Sequence, residues 1–419
     1  MSTESWIKTK LGTVVSTSSG GTPSRSEPSY YSQGTIPWIR SGELEDNIIT
    51  SSELKITKKG LLSSNAKILP AGTLLIAMYG ATIGKMAFLG IAAATNQAVC
   101  SLAPQKGLLA HFLYYFLLYQ RPNLIKKGIG GAQANISQTI LRNLDITIPP
   151  LEIQERIVSK IEELFSEIDN AVSSLKAARQ KIAAYRQSIL KEAFQGKLTS
   201  KHPTIRASLN WQKQLPSLPE IPQEWKYVRL DQLGELARGK SKHRPRNDPK
   251  LFKGGKYPFI QTGEVKASNG RIRTCEKLYG EFGLSQSKLW PKGTLCITIA
   301  ANIAETGFLE IEACFPDSVV GFTAQQLVLP KYIRYFILSE RLKLWAFAPA
   351  TAQKNINLST LENLIIPYCD MEEQKNIINI IETEFSTCDS IECTINKTLQ
   401  EAKALKQSIL KRAFERGLT

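Results

Sequence analysis

The chain has 419 residues, enough for two or three domains with cores of their own, and its 42% hydrophobic and 21% charged content is that of an ordinary globular protein. Fifty-three Lys and Arg against 37 Asp and Glu give a net charge of +16, which points to a polyanionic partner, nucleic acid before an anionic membrane. No apolar run reaches the length of a membrane span, because "HFLYYFLLY" from His111 is too short, and "MSTESWIKTK" lacks the apolar core of a signal peptide, so a cytoplasmic location is expected.

Residues 1–150 mix short β-rich runs such as "GTLLIAMYG" with Gly and Pro turns and one apolar helix near the end, which predicts an α+β domain. Its loops carry Arg25 in "SSGGTPSRSEPSYYSQG", Arg40 and Ser41 in "WIRSGE", and Tyr79 and Lys85 in "MYGATIGK". These are candidate contacts to a polyanion, although a turn or capping role suits the same residues.

Residues 151–199 follow as a helix. Ile161, Leu164, Ile168, Ala171, Leu175, Ala178, Ile182, Tyr185 and Ile189 recur at steps of three and four, the seam of a coiled coil. A Pro-rich polar stretch, 200–221, reads as a linker.

A second α+β domain is expected over 222–370. It contains "RGKSKHRPRNDPKLFKGGK", residues 238–256, with eight Lys or Arg, one acid, two prolines and three glycines. Such a segment is expected to stay out of any core and to form a cationic loop presenting Arg238, Lys240, Lys242, Arg244, Arg246, Lys253 and Lys256. Gln261 and Thr262 in "FIQTGE", and Arg271 and Arg273 in "NGRIR", complete the candidate surface, although a turn or capping role suits these residues as well. Lys and Arg on phosphates supply salt-sensitive affinity, and Arg on guanine or Asn and Gln on adenine supply sequence choice.

Residues 371–419 form a second seam-bearing helix, with Ile381, Cys388, Ile391, Ile395, Ala402, Leu405 and Ile409. The seven cysteines are odd in number and form no CxxC, so they are expected to be reduced and buried. With three scattered histidines, no metal cluster assembles.

The chain is written twice. Residues 141–199 align with 361–419 without a gap, with 23 identities in 59 positions, and "PAGTLLI" and "IPWIRSGEL" are answered by "PKGTLCI" and "YPFIQTGEV". Two matching amphipathic helices of this length are expected to pair with each other. An antiparallel pair makes a rod of roughly 60 Å at 1.5 Å per residue, with similar heads at opposite ends about a pseudo-twofold axis. The heads share a frame and differ at the tip, as two readers of different sequences require. The repeated helix ends, "QSILKEAFQGKLT" and "QSILKRAFERGLT", are expected to expose Gln187, Lys191, Phe194, Gln407, Lys411 and Phe414 to a partner, or else simply to close the coiled coil.

Enzyme motifs fail one by one. "GATIGKM" is one residue short of a phosphate loop and lacks its Ser or Thr, and neither an amino-methyltransferase tetrapeptide, a dinucleotide fingerprint nor a complete nuclease triad occurs, so no catalysis is expected of this chain.

"LPEIPQEWKYVRLDQLGELARGK", "TAQKNINLSTLENLIIP", "GAQANISQTILRNLDITIPPLEIQERIV" and the doubled "QSILKxAF", in this order, resemble the specificity subunit of type I restriction-modification systems over essentially the whole chain. The second half departs with "PYCDMEEQ" where a Pro-rich helix entry is usual. The resemblance implies two target recognition domains, each reading one half of a bipartite, asymmetric site in double-stranded DNA, and helices that act as a ruler. It further implies two methyltransferase subunits using S-adenosylmethionine and two restriction subunits using ATP and Mg2+, with no cofactor in this chain. A cytoplasmic scaffold with two protein-binding heads is the competing reading, and a stand-alone DNA-modifying enzyme the second.

Overall fold

A computed structural model describes residues 6–128, 135–199, 204–205 (backbone only), 218–347 and 355–415. Most of the linker, together with the "GAQA" and "TAQK" segments of the paired motifs, lies outside the described residues. The chain divides into two compact units, Met1–Leu175 with Asn396–Thr419, and Lys176–Ile395.

In the first unit a five-stranded sheet runs in the order Val15–Ser19, Val99–Pro104, Leu74–Ala77, Met86–Leu89, Asn47–Ile49, parallel only at its last pair. A three-stranded sheet, Leu54–Ile56, Ile36–Ile39, Ala94–Thr95, covers one side. The second unit repeats this plan with Gly234–Arg238, Val319–Ala324, Leu295–Thr298, Thr306–Leu309, Arg271–Ile272, and with Lys277–Tyr279, Tyr257–Phe259, Ala313–Cys314, Leu289–Trp290. Period-two alternation explains why the central strand is apolar throughout. Leu74 and Ile76 point into one core and Leu75 and Ala77 into another, just as Leu295 and Ile297 oppose Cys296.

Four helices complete the frame: α1 (Ala110–Gly128), α2 (Leu151–Ala193), α3 (Pro330–Phe347) and α4 (Met371–Glu415). The fold is α+β and duplicated. Pro149 and Pro150 end a strand immediately before α2, and Asp370 caps α4, accepting the Glu373 N–H at 2.8 Å. Gly196, at φ +70°, closes α2 in the left-handed conformation that a side chain resists.

Within each unit the two long helices run antiparallel and meet. In the first unit Ile157 and Ile161 share a core with Ile409, Leu410 and Ala413, while Lys406 pairs with Asp169 at 2.6 Å over the Phe165 ring. In the second unit Arg186 pairs with Asp389 at 2.7 Å over the Phe385 ring, and also with Glu392 at 3.1 Å. Residues 165, 169 and 186 recur as 385, 389 and 406, so one interaction is made twice, once with Lys and once with Arg.

Three expectations need correction here. Ala171, Tyr185, Ile391 and Leu405 are exposed, because a strict three-and-four repeat drifts by about 20° per heptad around a straight helix, and half-buried Val172 and Leu399 lie on the covered side instead. Cys393 is exposed, since a two-helix layer leaves one helix face in water, and Cys275 is half-buried in the loop between strands Arg271–Ile272 and Lys277–Tyr279. Finally, the basic loop does enter a core. A 3-10 turn, Pro249–Leu251, capped by Asp248, drops Leu251 among Phe259, Tyr279 and Cys314.

The thiols give a direct check. Burial pushes Cys100 and Cys369 up to about 12 and raises Cys296, Cys314 and Cys275. At pH 8 a thiol reagent therefore labels Cys393 first and Cys275 slowly, and mass spectrometry finds the other five modified only in denaturant.

Candidate nucleic-acid interface

In the second head, the end of strand Gly234–Arg238, the basic loop, the turn after Tyr257–Phe259 and the loop at 316–318 converge on a cavity of about 400 Å3. Arg238, Arg246, Gln261, Thr262, Asp317, Ser318 and Asn355 line it. Arg246 Nη2 donates to both carboxylate oxygens of Asp317, at 2.7 and 3.0 Å. Both partners are about half exposed, so the pair contributes about 0–1 kcal/mol and yields readily to a phosphate. Gln261 begins the short helix Thr262–Ala267, and its backbone N–H donates to Glu264 at 2.7 Å, which leaves its amide at the cavity wall.

Order in the loop is internal. Arg244 Nη1 donates to the carbonyls of Ser241 (2.5 Å) and His243 (2.9 Å), so this arginine organises the loop. Asp248 accepts from the Lys250 N–H and bonds the His243 ring, and these bonds hold its carboxyl below the usual range. Lys240, Lys242, Lys253 and Lys256 are exposed, Lys256 lying 3.6 Å from Glu281. Arg271 and Arg273 are not in the cavity. Their strand is the opposite edge of the sheet from Gly234–Arg238, roughly 19 Å away at 4.8 Å per strand, and both pair with Glu310, whose carboxyl is lowered chiefly by the Arg273 hydrogen bond.

The first head is quieter. Arg25 is exposed on its loop. Arg40 is half-buried between Glu43 and Glu53, the Ser41 carbonyl accepts from Thr82 at 2.7 Å, and Lys85 lies 3.6 Å from Glu45. Tyr79 bridges Asn135 through the backbone, as Ala300 bridges Asn355. A cavity of about 560 Å3 opens beside Gly21, Thr22, Asn65 and Gln97.

Sequence reasoning passed over the residues that tie each loop to its sheet. Gln97 accepts from Thr22 in the first head, and Asp317, at the equivalent position, holds Arg246 in the second. Asn135 and Asn355 were also missed. Their only signal was the repeat itself, because a position must be placed opposite its counterpart before a neutral-to-charged exchange becomes visible.

The repeated helix ends bring a further correction. Phe194 is buried and lies 5.1 Å from the rings of both Tyr332 and Phe336, and Phe414 packs on Phe112, Phe116 and Tyr119, so neither ring is offered to a partner. Each helix end is instead an anchor in the core of the head that the other long helix leaves. Gln187, Lys191, Gln407 and Lys411 remain exposed. Gln187 and Lys191 border a groove of about 410 Å3 with Leu342 and Tyr227, while Gln407 borders one of about 990 Å3 with Phe165 and Lys403. Phe194→Ala is expected to cost about 3–5 kcal/mol in chemical denaturation. Gln187→Ala and Lys191→Ala, which remove only exposed groups, are expected to leave the midpoint unchanged.

One frame carrying two divergent polar tips defines a duplicated recognition protein. The model of the type I restriction modification DNA specificity domain matches residues 3–176 and 222–401, and the chain belongs to that family. It is 24% identical over 438 residues to the EcoKI specificity subunit of Escherichia coli strain K12, across 99% of this chain and 90% of that one. To the EcoBI specificity subunit of Escherichia coli it is 25% identical over 348 residues, 77% of this chain and 69% of the relative. A chain from a structure on complex assembly and conformational transition of the type I R-M system superposes with a TM-score of 0.74 at 19% identity, covering 99% and 98% of the two chains. The HsdS subunit from Thermoanaerobacter tengcongensis gives 0.56 at 20%, covering 99% and 97%. At such identities the likeness is one of fold. No described helix is long and apolar enough to cross a membrane.

Proposed function

We propose that this chain is the non-catalytic DNA-reading subunit of a cytoplasmic type I restriction-modification complex. Target recognition domains at 1–150 and 222–370 each read one half of a bipartite, asymmetric duplex site. The helices at 151–199, which the linker 200–221 joins to the second domain, and at 371–419, which follows that domain directly, set the gap. Two methyltransferase subunits supply S-adenosylmethionine chemistry, and two restriction subunits, where present, supply ATP and Mg2+ chemistry. Outward residues Gln187, Lys191, Gln407 and Lys411 offer the methyltransferases two equivalent platforms.

The observation that carries this function is the exchange at one framework position, where Gln97 accepts from Thr22 in the first head and Asp317 accepts from Arg246 in the second. Identical frames with different tips suit two different half-sites, since frame contacts position and edge contacts specify. The cavity in the second head places guanine-type donors, Arg238 and Arg246, beside adenine-type amides, Gln261 and Asn355.

Mapping methylated adenines in random-sequence DNA after exposure to the subunit and its methyltransferase partner tests the proposal. Two unlike half-sites separated by one fixed gap are expected. Methylation without sequence preference, or salt-independent association with no preference for DNA, favours a protein-binding scaffold.

A further inference from the structure

Both long helices leave their heads through the same device. Gln154 lies one turn into α2 and Gln374 one turn into α4, and both are wholly buried. Gln154 Oε1 accepts from the Leu109 N–H at 2.9 Å, while its Nε2 donates to the carbonyls of Gly107 at 2.9 Å and Pro149 at 2.8 Å. Gln374 Oε1 accepts from the Leu329 N–H at 2.9 Å, and its Nε2 donates to the carbonyls of Leu327 at 3.2 Å and Cys369 at 2.9 Å.

Each amide thus uses both donors and accepts at its oxygen, and it ties together three pieces of chain: the first turn of the long helix, the strand-to-helix junction before it, and the turn that opens α1 or α3. The gripped turn carbonyl belongs in each case to a residue of positive φ, Gly107 at +101° and Leu327 at +68°. A leucine keeps that backbone at a cost, so the second head retains the turn even without the glycine that favours it. Swinging the helix about its junction would leave a buried amide and backbone groups unpaired, which the protein interior penalises.

We infer that Gln154 and Gln374 are positioning residues that fix the angle between each head and its helix, and through it the single gap the subunit accepts. This rests on the proposed ruler. A tip about 20 Å from the junction, the width of a five-stranded sheet, swings by about 3.5 Å for each ten degrees, which is one base step. The clamp therefore has to hold to within several degrees for the gap to be exact.

The test reconstitutes full-length Gln154→Met and Gln374→Met with the methyltransferase partner. Adenine methylation is measured on one library with constant half-sites and a variable gap, and on a second with a constant gap and variable half-sites. The wild type is expected to modify one gap. In the variants, methylation at gaps one base pair shorter or longer rises at least fivefold relative to the cognate gap, while half-site choice is kept. Gln374→Asn, which keeps the amide but shortens its reach, gives a smaller relaxation and serves if the Met variants do not fold. Leu344→Ala, a core truncation in α3 away from the junction, lowers stability with the gap still single. Strict gaps in folded variants overturn the clamp and leave the ruler standing, and equal relaxation by Leu344→Ala overturns it too. A wild type indifferent to gap length overturns the ruler and the clamp together.

Discussion

Arg238→Gln combined with Arg246→Gln is expected to weaken duplex binding by at least about 30-fold, with each of the two lost contacts worth about 1–3 kcal/mol. The two side chains line one cavity, and the carboxylate that pairs with Arg246 is half-exposed, so DNA can displace it. If they neutralise phosphates, the slope of log affinity against log salt falls by about 2, at about 0.9 for each contact removed, and every sequence suffers alike. If either reads guanine, the loss concentrates at one base of one half-site. Arg244→Gln acts differently, because its Nη1 serves the carbonyls of Ser241 and His243, so its effect comes through loop order. Titrations of the wild type and the two variants at several salt concentrations separate these cases. Unchanged affinity in the double variant removes the cavity from the DNA-binding surface.

Inserting one heptad into the middle of both α2 and α4 is expected to lengthen the recognised gap by about three base pairs. Seven residues add roughly 10.5 Å of helix, and a base step is about 3.4 Å. Length is only half of the effect. A heptad returns the helix face to within about 20°, whereas three base pairs rotate the DNA face by roughly 100° at about 10.5 pairs per turn. The single insertion therefore modifies its longer site poorly. Three heptads add roughly 31 Å, close to one full turn of DNA, and are expected to restore efficient methylation at a gap about nine or ten pairs longer. Both outcomes are read by sequencing methylated sites. An unaltered gap in a folded, DNA-binding insertion variant refutes the ruler.

Much of the frame was legible because a duplication prints its own control. The long seam helices recur at one offset and the strands and apolar helices within a few residues of it, and a pattern that appears twice is unlike chance. The tips were less legible. Arg238, Arg246, Gln261 and Thr262, scattered over 25 residues of sequence, converge on one cavity, while Arg271 and Arg273, equally basic and nearby in the chain, fall on the opposite sheet edge. Charge composition cannot distinguish these two groups, since strand order decides which loops share an end.

The sequence by itself determined the α+β class, the repeat, the two amphipathic helices and the basic surplus, because composition and periodicity are local properties that survive without knowledge of neighbours. Only the tertiary structure decided what the repeated helix ends do. Phe194 and Phe414 belong to a motif that looks outward on a helical wheel, yet each meets an aromatic cluster contributed by residues more than a hundred positions away. It also decided that Leu251 anchors an otherwise cationic loop and that Gln154 and Gln374 are spent on backbone groups. Such roles depend on which surfaces meet, and contact across long stretches of chain is set by packing that no local pattern records.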